Sequence, residues 1–81
     1  MFFQILEKST GLCLHSNGIN SEAVIHGCEP LSADVPYQKF YLNKTHLQDF
    51  WGHCLVRKSC DIWRWNVCSD PDTVSINSIW S

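Results

Sequence analysis

Short stretches of this chain recur about forty residues downstream. Cys13-Leu14 returns as Cys54-Leu55, Gly11 as Gly52, Cys28 as Cys68, the apolar pair Ala23/Ile25 as Trp63/Trp65, and Phe40 as Trp80, at offsets of 40 or 41 residues. A fixed period of this size marks a repeat architecture, in which no unit buries its own apolar face and neighbouring units complete the core. The chain therefore reads as one domain over residues 1–81, with repeat one at 1–40 and repeat two at 41–81.

The repeat constrains the five cysteines. Cys13 and Cys28 lie 15 residues apart and Cys54 and Cys68 lie 14 apart, at matching places, which predicts the disulfides Cys13–Cys28 and Cys54–Cys68. By the chain-entropy estimate, closing loops of this size contributes about 3 kcal/mol each. A chain this short buries only a modest core, and small secreted domains supplement such cores with disulfides, so a secreted or extracellular setting is expected. The competing reading, five reduced thiols in the cytosol, leaves the repetition of the paired positions without a cause. Cys60 has no counterpart, since Ile19 or Asn20 occupies the matching place, and it reads as a free thiol or an inter-chain link.

Other classes are disfavoured by composition. A net charge of −2 and scattered basic residues give no electrostatic reason to expect a nucleic-acid partner. No apolar run approaches the roughly 20 residues that span a bilayer, so no membrane insertion is expected. Met1-Phe2-Phe3-Gln4-Ile5-Leu6 is too short for the apolar part of a signal peptide, and Glu7-Lys8 closes it. The chain is then a mature product with a start Met, an excised domain, or a protein not exported through a cleaved signal.

The local pattern is that of an all-β protein. Strands are predicted at Phe2–Leu6, Leu12–Leu14, Ala23–Cys28, Tyr37–Leu42, Leu47-Gln48, Cys54–Val56, Ile62–Cys68 and Val74–Trp80. Turn signals separate them at Gly11, Asn17-Gly18, Glu29 to Pro36, Gly52, Arg57 to Asp61, and Ser69 to Asp72. Many short strands at such spacing predict a barrel or sandwich.

Gly-Leu-Cys-Leu at 11–14 and Gly-His-Cys-Leu at 52–55 resemble the Gly-x-Cys-Leu signature of ricin B-type β-trefoil lectin repeats. Val24-Ile25-His26-Gly27-Cys28 and Arg64-Trp65-Asn66-Val67-Cys68 are similar to the strand that ends in the second cysteine of that repeat. Gln38-Lys39-Phe40 is similar to its Gln-x-Trp motif, and in repeat two Ser78-Ile79-Trp80 keeps the aromatic without the Gln. The cysteine spacing is also similar to that of the cysteine-rich domains of mannose-receptor-like proteins. The resemblance implies a β-trefoil-like fold, yet a complete trefoil has three units and this chain supplies two. An incomplete barrel leaves open sheet edges and an exposed side of Trp63, Trp65 and Phe40, so closure by self-association, a partner chain or a third unit is expected.

The resemblance implies carbohydrate binding, hence a glycan or glycoprotein partner. In that family an acidic residue after Cys-Leu, an aromatic two places before the second cysteine, and an Asn-Gln pair at Gln-x-Trp make each shallow pocket. Carried over by position, the first pocket holds His15, His26, Tyr37 and Gln38. His15 replaces the acid, His26 and Tyr37 stack, and Gln38 matches. The second holds Val56, Asn66, Asn77 and Ser78. Val56 accepts no hydrogen bond and Asn66 does not stack, which leaves this pocket dead for a neutral galactose-type ligand. Arg64, beside Asn66, brings a sulfated or sialylated glycan into consideration.

Plainer readings stand beside these. Trp63 and Trp65 match the positions of Ala23 and Ile25 and read as core. Gln38 serves equally well as a structural hydrogen-bonding group. No pair among His15, His26, His46 and His53 has zinc-ligand spacing, and neither a metal nor any other cofactor is expected. No nucleophile, phosphate loop or distinctive carboxylate pair points to an enzyme. Asn43-Lys44-Thr45 is a glycosylation sequon. The sequence thus points to a lectin-like binding module, with a role as the targeting part of a larger assembly open to it, and a non-catalytic interaction or structural module as the alternative.

Overall fold

Each of the two thiol pairs closes locally. In a computed structural model describing residues 1–30, 32 and 34–77, Cys13 bridges Cys28 and Cys54 bridges Cys68, with Cα separations of 5.0 and 4.9 Å. Both are bonds of the kind that persist in oxidising compartments. Cys60 is exposed and free.

The described residues form an all-β fold of two antiparallel sheets. The first runs β1 (Leu6–Glu7), β2 (Leu12–His15), β3 (Val24–Gly27), in that spatial order. The second runs β4 (Tyr41–Asn43), β5 (His46–Gln48), β6 (Cys54–Arg57), β7 (Trp63–Asn66). The central hairpins share a register. Cys13, Leu14 and His15 face His26, Ile25 and Val24, while Cys54, Leu55 and Val56 face Asn66, Trp65 and Arg64. Gly11 and Gly52 hold matching turns before β2 and β6 with φ of 72° and 91°, a backbone that side-chain-bearing residues rarely adopt. At Gly52 a Cβ would also stand 3.4 Å from the Tyr41 hydroxyl.

Several elements differ from the sequence expectation. The first strand shrinks to a bridge between Phe3 and Phe40 plus the short β1. The strand expected from Tyr37 starts only at Tyr41, because a turn closed by Lys39 N–H on Pro36 O occupies the preceding residues. In repeat two the closing segment comes earlier than the Phe40/Trp80 match implies. Arg57 N–H donates to Asp72 O where Ser16 N–H, in repeat one, donates to Tyr37 O. Ile76 N–H donates to Thr45 O where Phe40 N–H donates to Phe3 O. Ser78, Ile79 and Trp80 lie outside the described residues.

The core joins the halves. Phe40, Leu47, Leu55 and Trp65 are buried, with Phe3, Ile5, Leu14, Ala23, Trp63 and Val74 packed around them. Phe40 and Trp65 stack at 5.1 Å between ring centres. Their expected exposure is thereby corrected: each ring covers the other, and both are fully buried. Beyond its own hairpin, the hydrogen-bond and ring-stacking partners of Trp65 lie in repeat one. Its N–H donates to Ser21 O, its carbonyl accepts from Asn20 N–H, and its indole N–H donates to His15 O. Ala23 N–H to Trp63 O extends the seam.

The counterpart of Trp65 in repeat one, Ile25, has no such cover among the described residues. It is exposed and, with Ile5, Leu6, Glu7 and Leu14, lines an apolar depression of about 330 Å³. This runs into a second depression of about 430 Å³ that shares Glu7 and Leu14 and adds Ala23, Leu55 and Trp63.

Truncation of Trp65 to Ala should cost about 3–5 kcal/mol, the range for a buried aromatic, and show as loss of the folded state in a denaturant titration. Trp65→Phe should retain the fold. Peptide mapping without reduction should recover the two local bridges and alkylated Cys60.

Candidate functional site

Strand alternation sends Leu14 into the core and its neighbour His15 to the other face. Residues opposite one another in an antiparallel pair share a face, so His26, which faces Cys13, projects on the same side as His15. The two imidazoles stack at 4.5 Å. Tyr37 joins them because Ser16 N–H holds its carbonyl at 2.8 Å, and its ring lies 5.4 Å from His15 and nearly parallel to it, at 11°. Three residues carried over by resemblance, His15, His26 and Tyr37, are thus one continuous stack.

The run of rings continues into repeat two. Tyr37 contacts Trp51 at 6.0 Å, and Trp51 contacts His53 and Phe50. Phe50 contacts Phe2, which meets Tyr41 edge-on. Phe2, Tyr37, Phe50 and Trp51 are each 41–44% exposed, so this is a surface of large aromatic groups in contact with solvent. Phe50 and Trp51 escaped the sequence reading. The available signal was two bulky rings in a turn whose counterpart in repeat one carries Lys8, Ser9 and Thr10.

Gln38 is close by but is occupied. It is only 3% exposed. Its Oε1 accepts from Gln4 Nε2 and from Glu29 N–H, both at 2.8 Å, and its Nε2 donates to Gly27 O at 2.9 Å. The same Nε2 lies 3.4 Å from His15 Nδ1. With Gln38 as donor, His15 Nδ1 is the acceptor, and its Nε2 carries the hydrogen toward Asn17 Oδ1 at 3.1 Å. Gln38 therefore ties the loop before Tyr37 to the end of β3 and orients the His15 ring.

Asp49, also missed by the sequence reading, joins the two parts of the surface. It is fully buried. Its Oδ2 accepts from Ser16 Oγ at 2.7 Å and lies 3.0 Å from His53 Nδ1. Its Oδ1 accepts from the backbone N–H groups of Trp51 and His53. One carboxylate thus fixes the turn that presents Trp51 and anchors it to the residue after His15. In sequence, an Asp three residues before Gly52 reads as ordinary turn chemistry.

Arg64 and Asn66 take no part in this run. Arg64 Nη1 donates to Asn20 O at 3.1 Å. Asn66 accepts from Val67 N–H and donates to Asp70 Oδ2. Lys58 Nζ meets Asp70 at 2.7 Å and Asp72 at 3.0 Å. The bond from Lys58, reinforced by the backbone N–H of Asp72, holds the Asp70 carboxyl below its ordinary value, and the bonds to Asp70 and Asp72 raise Lys58. A depressed carboxyl favours the fold above its unfolded value, and that contribution fades as acid protonates it. Val56 is fully buried and Asn77 is exposed, while Ser78 lies outside the described residues. Among the described residues, no group of three or more His, Cys, Asp or Glu side chains is placed to hold a metal ion.

Comparison with protein-family models, with curated proteins and with solved structures gave no match.

Removing the Asp49 carboxylate strands the Ser16 hydroxyl and two backbone donors, and each unsatisfied buried group costs about 1–3 kcal/mol. Asp49→Ala should therefore destabilise strongly in thermal or urea unfolding. Asp49→Asn, which keeps a carbonyl acceptor for the turn, should lose less. Equal stability of Asp49→Ala and the parent chain would contradict this role.

Proposed function

We propose that this chain is a secreted, non-catalytic, lectin-like module on a β-trefoil-like body of two units, and that its glycan lies across the rings of His26, His15, Tyr37 and Trp51. The observation that carries this reading is the exposed run of stacked rings spanning both halves. Aromatic faces pack on the apolar C–H face of a sugar, and a few polar groups at the rim orient its hydroxyls. Here the rim is supplied by the ring nitrogens of His26 and by Asn17 and Glu29, which flank His15. Gln38 acts as the support of this surface rather than as a ligand contact, since its amide is spent on Gln4, Gly27 and Glu29.

The apolar depression favours a second role, association. Repeat one covers Trp65 of repeat two, whereas among the described residues its counterpart Ile25 stays exposed. In a three-unit trefoil the next unit would stand there. A second copy of this chain covers Ile25, Leu6 and Trp63 in our reading, through a head-to-tail contact of the kind repeat one makes with repeat two. If glycans fail to bind, this contact makes the chain an interaction module on a degenerate lectin scaffold.

A glycan array spanning neutral, sulfated and sialylated structures should give binding that Tyr37→Ala with Trp51→Ala abolishes while both disulfides and the β-sheet circular dichroism persist. Silence across the array would overturn the lectin reading. Light scattering should report a dimer or larger species that Ile25→Lys dissociates, and a monodisperse parent monomer would overturn the association.

A further inference from the structure

We propose that Asn43 is an acceptor for an N-linked glycan. Of the five asparagines in the chain, only Asn43 is followed by the x-Ser/Thr pattern that transfer requires. The fold presents that triplet at the tip of the β4–β5 hairpin. Asn43 pairs with His46, so Lys44 and Thr45 form a two-residue turn, with Lys44 in the left-handed region at φ 59°. All three residues are exposed. Among the described residues neither the Asn43 carboxamide nor the Thr45 hydroxyl has a hydrogen-bond partner. Asn66 makes the contrast: its carboxamide is held by Asp70 and by Val67 N–H.

The two disulfides place folding in an oxidising compartment, which is where such transfer occurs in a secretory route. The donor is a lipid-linked oligosaccharyl pyrophosphate. The Asn43 amide nitrogen attacks the anomeric carbon of the first sugar. An N–C bond forms as the C–O bond to pyrophosphate breaks, the lipid pyrophosphate leaves with the electron pair, and one amide proton passes to a base of the transferase. Side chains two apart on a strand share a face, so Asn43 projects on the side of Tyr41, whose ring meets Phe2. The glycan then stands at the Phe2–Tyr41 end of the rings and leaves the Tyr37–His26 end open. This inference does not depend on the identity of any ligand bound there.

The test is secretion of the full chain from eukaryotic cells behind a cleaved signal, with intact mass measured before and after a peptide N-glycosidase. The expected result is a heavier secreted species that the glycosidase returns to the mass of the bare chain with one deamidated asparagine. Asn43→Gln and Thr45→Ala should be secreted unmodified, and Thr45→Ser should retain the glycan. Parent chain secreted at the bare mass, or an N-glycan persisting in Asn43→Gln, would overturn the assignment.

Discussion

Trp65 is the residue on which the two halves depend. It belongs to repeat two, yet its ring stacks on Phe40, its indole N–H is taken by His15 O, and its backbone groups are bonded to Asn20 and Ser21, all in repeat one. A chain of this size has little core to spare. One buried indole that packs, donates and pairs across the seam does what a larger protein spreads over many residues. The disulfides act differently. Each closes a loop within its own repeat, restricting the unfolded chain locally without tying one half to the other.

The candidate surface follows from the same seam. His15 ends the strand whose preceding residue, Leu14, packs against the core, and its carbonyl receives the Trp65 indole. The following residue, Ser16, reaches across to Asp49, and Asp49 shapes the turn that carries Trp51. The rings of Tyr37 and Trp51 meet because two loops from different repeats are fastened to one buried carboxylate. The surface is buried at its base, at Asp49 and Gln38, and exposed at its face, at Tyr37 and Trp51.

What could be read in the sequence was whatever the repeat wrote twice. The cysteine pairing, the central hairpins and the equivalence of His15 with Val56 and His26 with Asn66 all follow from matched positions. Features that occur once were out of reach. Asp49 looks like a turn residue until its partner Ser16, 33 positions away, is placed beside it. Resemblance alone left Gln38 open as a ligand contact or a structural group, and the three-dimensional placement of Gln4, Gly27 and Glu29 reveals that its amide is already satisfied. The exposure expected for Phe40 and Trp65 came from counting missing units, which overlooks that two units suffice to cover one aromatic pair. Among the described residues, Ile25, which matches Trp65 in position, is exposed instead.

The central claim is that the halves are one interlocked body, with each hairpin stable only against the other. Native-state hydrogen exchange at the seam amides tests it most directly. The N–H groups of Trp65, Ala23 and Asn20 should exchange only through global unfolding, with the same free energy as the amides that pair β2 with β3 and β6 with β7. Faster exchange at the seam than within the hairpins would mean that the halves part while each stays folded, and would contradict the account.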